Sequence, residues 1–371
     1  MLEIKLCDEL ATIDAAAWDS LFNAYEPFCR HAFLSALEQG GSVGAGSGWL
    51  SQHLLLYRAG CLVAAMPMYL KLHSYGEYLF DWSIAEAYQQ YQLNYYPKLL
   101  CAIPFTPAEG PRLGVAEGEN RSEMFTLLYQ AIKQRQQQLA CSNFQCLYPD
   151  SLSQQLMRDS GMLERFDVQF QWHNHSYSDF AGFLATLASR KRKQISKERR
   201  QVAEQGIVIK CLNGAQLNSE FWQTFSGFYQ ATYQKRSGHN GYLTPQTFAL
   251  WGQSMADSIV VFAAYANNKL VAASLCFKSA NCLYGRYWGC LAEFDKLHFE
   301  CCYYAGIDYC IANNISRFDA GAQGEHKLKR GFMPVIRHGF YHFSPSPLQN
   351  AIADYCQRER MALLQHYQLQ P

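Results

Sequence analysis

Apolar residues run through this chain in short blocks, with turn residues between them. His53 to Leu70 reads as a β-hairpin. Leu54-Leu55-Leu56-Tyr57 is its first apolar run, Arg58-Ala59-Gly60 its turn, and Leu62-Val63-Ala64-Ala65 opens the return. The same four residues recur 208 positions later as Leu270-Val271-Ala272-Ala273. There too they follow an apolar run (Val260 to Tyr265) and a turn (Ala266-Asn267-Asn268). Tyr57 and Tyr265 keep one offset from the repeat, and Lys71 and Lys278 nearly do. A hairpin used twice predicts a fold unit that occurs twice.

The other blocks predict alternating helices and strands. Residues 8 to 39 read as helices anchored by Trp18, Leu21, Phe22, Phe33, Leu34 and Leu37. Gly40 to Gly48 is a glycine-rich loop. Tyr75 to Phe80 reads as a strand, and Pro97 to Pro111, with four prolines, as extended loop. Arg121 to Leu139 reads as a helix with Met124, Leu127, Leu128 and Ile132 on one face. Phe144 to Tyr148 and Val168 to Trp172 read as strands. Phe180 to Gln205 reads as one or two helices, and Phe221 to Tyr233 as another. Ile259 to Trp288 carries the second hairpin and a further strand. A helix from Phe299 to Asn313, a strand from Ile315 to Phe318 and a loop from Gly321 follow. The class is therefore α/β (α+β), with a boundary expected between domains 1–165 and 166–371.

At 371 residues the chain is long enough for two cores, and 49% hydrophobic against 17% charged residues excludes disorder. Its net charge of +1 announces no polyanion partner for the surface as a whole. The start, Met-Leu-Glu-Ile-Lys, lacks the features of a signal peptide. The most apolar stretch, Ile259 to Phe277, is broken by Asn267, Asn268 and Lys269, so no membrane span is expected. The 14 cysteines have neither a disulfide framework nor zinc spacing. A cytoplasmic protein with reduced thiols and no metal is the expectation.

Four segments concentrate chemistry. Ser189 to Arg200 holds seven positive side chains, Arg190, Lys191, Arg192 and Lys193 among them, against Glu198 alone. Such a helix suits phosphates, or is simply a solvated face. Gly321 to Pro334 follows a strand ending at Asp319 and carries Gln323, Glu325, His326, Lys327, Lys329 and Arg330. His326 titrates near neutrality, and the cations suit phosphate or carboxylate. Arg286, Tyr287 and Trp288 lie in an aromatic strand, where a buried Arg286 needs Glu300, Asp319 or a substrate as partner. His298 and Glu300 sit at a helix start, placed to act as a base or to cap. Finally, His73, Tyr75, Glu77 and Asp81 alternate and would share one strand face, lining a cleft or facing solvent.

His73-Ser-Tyr-Gly-Glu-Tyr-Leu-Phe-Asp-Trp82, Ser189-Arg-Lys-Arg-Lys193 and Gly321-Ala-Gln-Gly-Glu-His-Lys327 resemble segments of the FemAB-like predicted N-acyltransferases, within the GNAT-like superfamily. Lys329-Arg330-Gly331-Phe332 is similar to the broader Fem pattern, with Met333 where the family carries glycine. The resemblance spans nearly the whole chain. It implies two tandem GNAT-like domains, each a mixed twisted sheet flanked by helices, and transfer of an acyl group to an amine. The donor it implies is aminoacyl-tRNA or acyl-CoA, and the acceptor a small molecule or cell-wall precursor. GNAT enzymes hold CoA on an Arg/Gln-x-x-Gly-x-Gly/Ala turn, which Gly289-Cys-Leu-Ala-Glu-Phe-Asp295 lacks. The expected roles follow. Glu300 or His326 is the base. Arg286, Lys327 and Arg330 contact phosphate or oxyanion. Arg190 to Lys193 hold the donor, and His73, Tyr75, Asp81, Tyr287, Trp288, Gln323, Glu325 and Lys329 bind substrate. The alternatives are a CoA-dependent acetyltransferase that uses the Gly40–Gly48 loop, and a recognition protein without catalysis.

Overall fold

The computed structural model describes residues 2–22, 26–322 and 324–370. The chain forms two compact units: Met1–Val168 with Ile336–Pro371 (unit 1), and Gln169–Val335 (unit 2). In chain order the strands are β1 (Leu2–Cys7), β2 (Trp49–Ser51), β3 (His53–Arg58), β4 (Cys61–Met66), β5 (Met68–Lys71), β6 (Lys98–Cys101), β7 (Gly114–Val115) and β8 (Asn143–Leu147). They continue with β9 (Leu163–His173), β10 (Ile207–Asn213), β11 (Ile259–Ala266), β12 (Lys269–Lys278), β13 (Cys282–Cys290), β14 (Arg317–Asp319) and β15 (Met333–Phe343).

In unit 1, β1-β3-β4-β7 form an antiparallel sheet, and β15-β8-β6-β5-β2 are successive strands of a mixed one in which β6 and β8 run parallel. The helix Arg121–Gln138 starts on Asn120, whose side chain accepts from the Ser122 and Glu123 amides. Its Met124, Phe125, Leu128 and Ile132 join Leu54, Leu56, Met66, Leu99, Phe144 and Phe340 in one core. Each such side chain contributes about 1.5–3 kcal/mol through burial.

In unit 2 the order is β10-β11-β12-β13-β14-β9, antiparallel except for the parallel pair β13–β14. Helix Ser219–Ser237 lies on β13. Gly289 permits the approach: a Cβ there would stand 2.5 Å from the Phe228 carbonyl carbon and 2.6 Å from the Tyr229 nitrogen. Because the obstacle is backbone, it cannot rotate away. Gly289→Ala is expected to cost about 1–3 kcal/mol, read as a lower midpoint in urea with unchanged m.

The repeated hairpin is real. β3–β4 and β11–β12 are both antiparallel, and both shift register immediately before the tyrosine, at Leu56/Tyr57 and at Ala264/Tyr265. Both turns put two residues at positive φ, Ala59 (50°) with Gly60 (84°) and Asn267 (48°) with Asn268 (61°). This is the backbone that two-residue hairpins of native twist require.

Three expectations need correction. Tyr75–Phe80 is loop, not strand, because Gly76 (φ 83°) and Tyr78 (φ 67°) break the extended backbone. The segment from Pro97 to Pro111 is not all loop: Lys98–Cys101 is a fully buried strand between its prolines. Beyond Gly321, Glu325–Arg330 coils into 3-10 turns. Residues 336–371, expected in the second half, belong to unit 1, because β15 pairs with β8 (Gly339 opposite Leu147, Phe343 opposite Asn143). Their helix Gln349–Tyr367 was not read from the sequence.

Candidate active site

The chemistry-bearing residues of unit 2 gather around the ends of β13 and β14. Pairing of β12 with β13 slips so that Leu275 faces Tyr287 and Cys276 faces Gly285. Arg286 is thus the extra residue of a β-bulge, a device that re-aims a side chain. Its buried guanidinium donates from Nη1 to Asp319 Oδ1 at 3.2 Å and to the Gly285 carbonyl at 3.1 Å. Asp319 also accepts from the Gly321 amide (2.9 Å) and from Gln171 Nε2 (3.3 Å). Burial works against the charge on Arg286, but Asp319 outweighs it and raises its pKa.

Lys327 points into the same corner, and its Nζ donates to the Gly321 carbonyl at 2.6 Å. It is almost wholly buried. Burial pulls its pKa down to about 8, with Asp319 resisting and Arg286 assisting.

Beside this corner stand two imidazoles. His298 is held neutral, its pKa pushed to about 3 by burial first and then by Arg236, His326, Lys327 and Arg330. His326 is lowered by burial, Arg330 and Lys327. Tyr303 lies between them, 5.5 Å from the His298 ring and 5.7 Å from that of His326, and its hydroxyl bonds His326 Nε2 at 2.8 Å. Trp288 faces His298 at 5.5 Å. Tyr303 sits on a π-helical turn, Glu300–Tyr304, a distortion frequent at functional sites.

Ion pairs brace the rim. Arg330 donates from Nη2 to both Glu198 oxygens (3.0 Å each), from Nε to Tyr304 (2.9 Å) and from Nη1 to the His326 carbonyl (3.0 Å). It also lies 3.5 Å from the centre of the Phe299 ring. Glu300 receives Arg199 through both oxygens, at 3.2 and 3.0 Å, and Arg199 reaches Asp308 at 2.7 Å. Burial raises Glu300 more than Arg199 lowers it. Arg330 and Glu300 are therefore tied into side-chain pairs that fix the helix Ser189–Glu204 to the 325–330 turns.

The remaining expected residues divide. Tyr287 points away from Arg286 and packs against Tyr229, Phe248 and Trp251. Glu325 and Lys329 are exposed, and Gln323 falls outside the described residues. On the basic helix, Lys191 reaches the Leu328 carbonyl and Arg192 the Ala185 carbonyl, both at 3.3 Å. Arg190, Lys193 and Lys197 are exposed. His73, Tyr75 and Asp81 lie in unit 1. Asp81 there accepts from the buried Lys98 at 2.5 Å. His73 Nδ1 accepts from the Tyr75 amide at 3.2 Å and its Nε2 faces the Ser47 carbonyl at 2.9 Å.

Sequence reasoning missed Lys98, Tyr303 and the buried partners Glu198 and Arg199. The signal for Glu198 was its isolation: one acid at helical spacing with Ile195 and Val202 on the buried side. Among the described residues no group of three potential metal ligands assembles, and no helix is long and apolar enough to cross a membrane.

A family model described as FemAB-like, peptidoglycan biosynthesis/recognition, matches residues 9–370. FemX superposes with a TM-score of 0.52 at 12% identity, over 95% of this chain and 100% of that one. The DUF2156 C-terminal domain of a protein provisionally assigned as lysylphosphatidylglycerol synthetase, from Agrobacterium fabrum, gives 0.55 at 10%, over 96% and 98%. L-PGS from Bacillus licheniformis gives 0.50 at 10%, over 88% and 95%. No curated protein matches the chain. These likenesses are of fold.

Proposed function

The chain belongs to the FemAB-like family, and on that premise we propose that it is an N-acyltransferase moving an acyl or aminoacyl group to an amine, with a peptidoglycan precursor as the acceptor class. The observation that carries this reading is the corner where Lys327 stands beside Arg286–Asp319 and the neutral imidazoles of His298 and His326. Acyl transfer to an amine needs a base for the amine proton and fixed positive charge for the developing oxyanion. His326 is the base in this reading, with Tyr303 orienting its Nε2. The amine nitrogen attacks the acyl carbon, and Lys327 and Arg286 face the oxygen that becomes negative. The bond from acyl carbon to the donor's oxygen or sulfur then breaks. The proton taken by His326 passes to that leaving atom.

The donor is aminoacyl-tRNA in this reading, carried by the exposed Arg190, Lys193 and Lys197. Replacing these three by glutamine is expected to flatten the salt dependence of charged-tRNA binding, lowering the slope of log K against log salt by about 2–3. Titrations from low to high salt, with acetyl-CoA as competitor, check this. Saturable acetyl-CoA binding without tRNA affinity would make the donor a thioester and the helix a solvated face.

A further inference from the structure

Loop 72–82 of unit 1 has its side chains reversed relative to an ordinary surface. Ser74, Glu77 and Asp81 are buried. Tyr75 and Trp82 are 55% and 40% exposed, and Tyr78 and Phe80 half-buried. On the inner side, Lys98 Nζ donates to Ser74 Oγ (2.9 Å), Glu77 Oε2 (2.8 Å) and Asp81 Oδ2 (2.5 Å). Gln145 Nε2 adds a bond to Asp81 at 2.7 Å, and the Tyr95 hydroxyl another. On the outer side the rings run on from one another: Tyr75 to Trp82 at 5.1 Å, Trp82 to Phe80 at 6.0 Å and 17° between planes, Phe80 to Tyr78 at 6.3 Å.

This arrangement is a poor one for stability. Buried ion pairs contribute little net stability against apolar side chains of the same volume. Contiguous exposed aromatics lose the burial that would stabilise them, and mark binding surfaces. Tyr78 adopts a left-handed backbone (φ 67°), which a bulky side chain occupies only where its surroundings impose it. The inner network thus holds the outer rings in place before any ligand arrives.

We propose that Tyr75, Tyr78, Phe80 and Trp82 form a saccharide subsite that stacks the C–H face of a pyranose ring of the acceptor. The absence of exposed charge selects this occupant. Between Leu72 and Ser83 the charged residues are Glu77 and Asp81, both buried on Lys98. The platform therefore offers no cation to a nucleic acid or an anionic membrane, and no carboxylate to a basic peptide. An uncharged ring with one apolar face and hydroxyls at its edge matches it, and the exposed Tyr75 and Ser83 hydroxyls stand at the rim. The inference rests on the transferase reading only for the source of the sugar.

The test is calorimetric titration of the full chain with the N-acetylglucosamine tetramer, using wild type, Trp82→Ala, and Tyr91→Ala. Tyr91 is 64% exposed and outside the ring series, so it serves as the control. Saturable binding, insensitive to salt, at least about tenfold weaker in Trp82→Ala and unchanged in Tyr91→Ala, is expected. No binding by wild type, or full binding by Trp82→Ala with circular dichroism unchanged, overturns the proposal. So does adsorption to phosphatidylcholine vesicles, or binding of tRNA, that Trp82→Ala removes while the tetramer fails to bind. The titration needs no turnover. Transfer activity without tetramer binding sinks this inference alone, and tetramer binding without transfer sinks the transferase reading alone.

Discussion

Lys327→Met is expected to lower transfer at least about a hundredfold while raising the melting temperature. The two effects have one cause. The ammonium is almost wholly buried, and burial holds its pKa at about 8 against a model value of 10.5. Between those values the unfolded chain binds the proton and the folded one releases it, so stability rises with pH across that window. Below about pH 8 the whole cost is present, about 3 kcal/mol for this shift. Methionine keeps the length and removes the charge, while Arg286 and Asp319 still neutralise each other. Calorimetry of both proteins at pH 7 and pH 10 checks the stability half: the advantage of the variant should shrink at the higher pH. The catalytic half predicts a bell-shaped rate profile. Its alkaline limb, near pH 8, reports loss of the Lys327 proton, and its acid limb, below the ordinary histidine value of 6.5, reports protonation of His326. Wild-type turnover by Lys327→Met would remove Lys327 from the chemistry.

Lys98→Met should be the most damaging single change in unit 1, costing about 3–5 kcal/mol. Lys98 is fully buried, and burial would lower its pKa if Asp81 and Glu77 did not raise it. Burial would likewise raise Asp81, but Lys98 brings it down to about 2. Glu77, where burial prevails, sits near 7. Without Lys98 two carboxylates are left buried and uncompensated. Their pKa values then rise above those of the unfolded chain, so the variant loses stability as pH climbs past about 4 and is least impaired in acid. Denaturant melts at pH 4.5 and 7.5 test this. Adding Asp81→Asn should recover part of the loss, and a double-mutant cycle measures the coupling. A Lys98→Met protein with the wild-type midpoint at pH 7.5 would mean that the four polar groups do not act as a unit.

What could be read in the sequence was local. Both hairpins, the helix Arg121–Gln138 and the strand at β8 follow from periodicity and turn chemistry within a window of a few residues. The concentration of site residues in 321–334 was visible because glycines and cations crowd a loop. What could not be read depends on partners far apart in sequence. Glu198 looks like a solvated acid until Arg330, 132 residues on, is seen to hold both its oxygens. Glu300 looks like a base until Arg199 occupies it. The loop at 75–80 mimics a strand because its aromatic and acidic residues alternate, yet a lysine in β6 sets that alternation. Helix Gln349–Tyr367 escaped because only Ile352 and Cys356 among its residues are buried, too thin a stripe for a period to stand out.

Unit 1 is interrupted by unit 2, which has a consequence for how the molecule is made. On the ribosome the first 168 residues emerge before any of unit 2, yet they cannot finish their sheet. β8 waits for β15 to pair with it, and Arg165 waits for Glu359, at 2.6 and 2.8 Å in the finished protein. Gln169–Val335 needs nothing synthesised after it, so the later-born unit is the first that can close. The nascent chain therefore spends the whole synthesis of the acyl-transfer corner with an open strand edge at β8, a template for mispairing that only the final stretch covers.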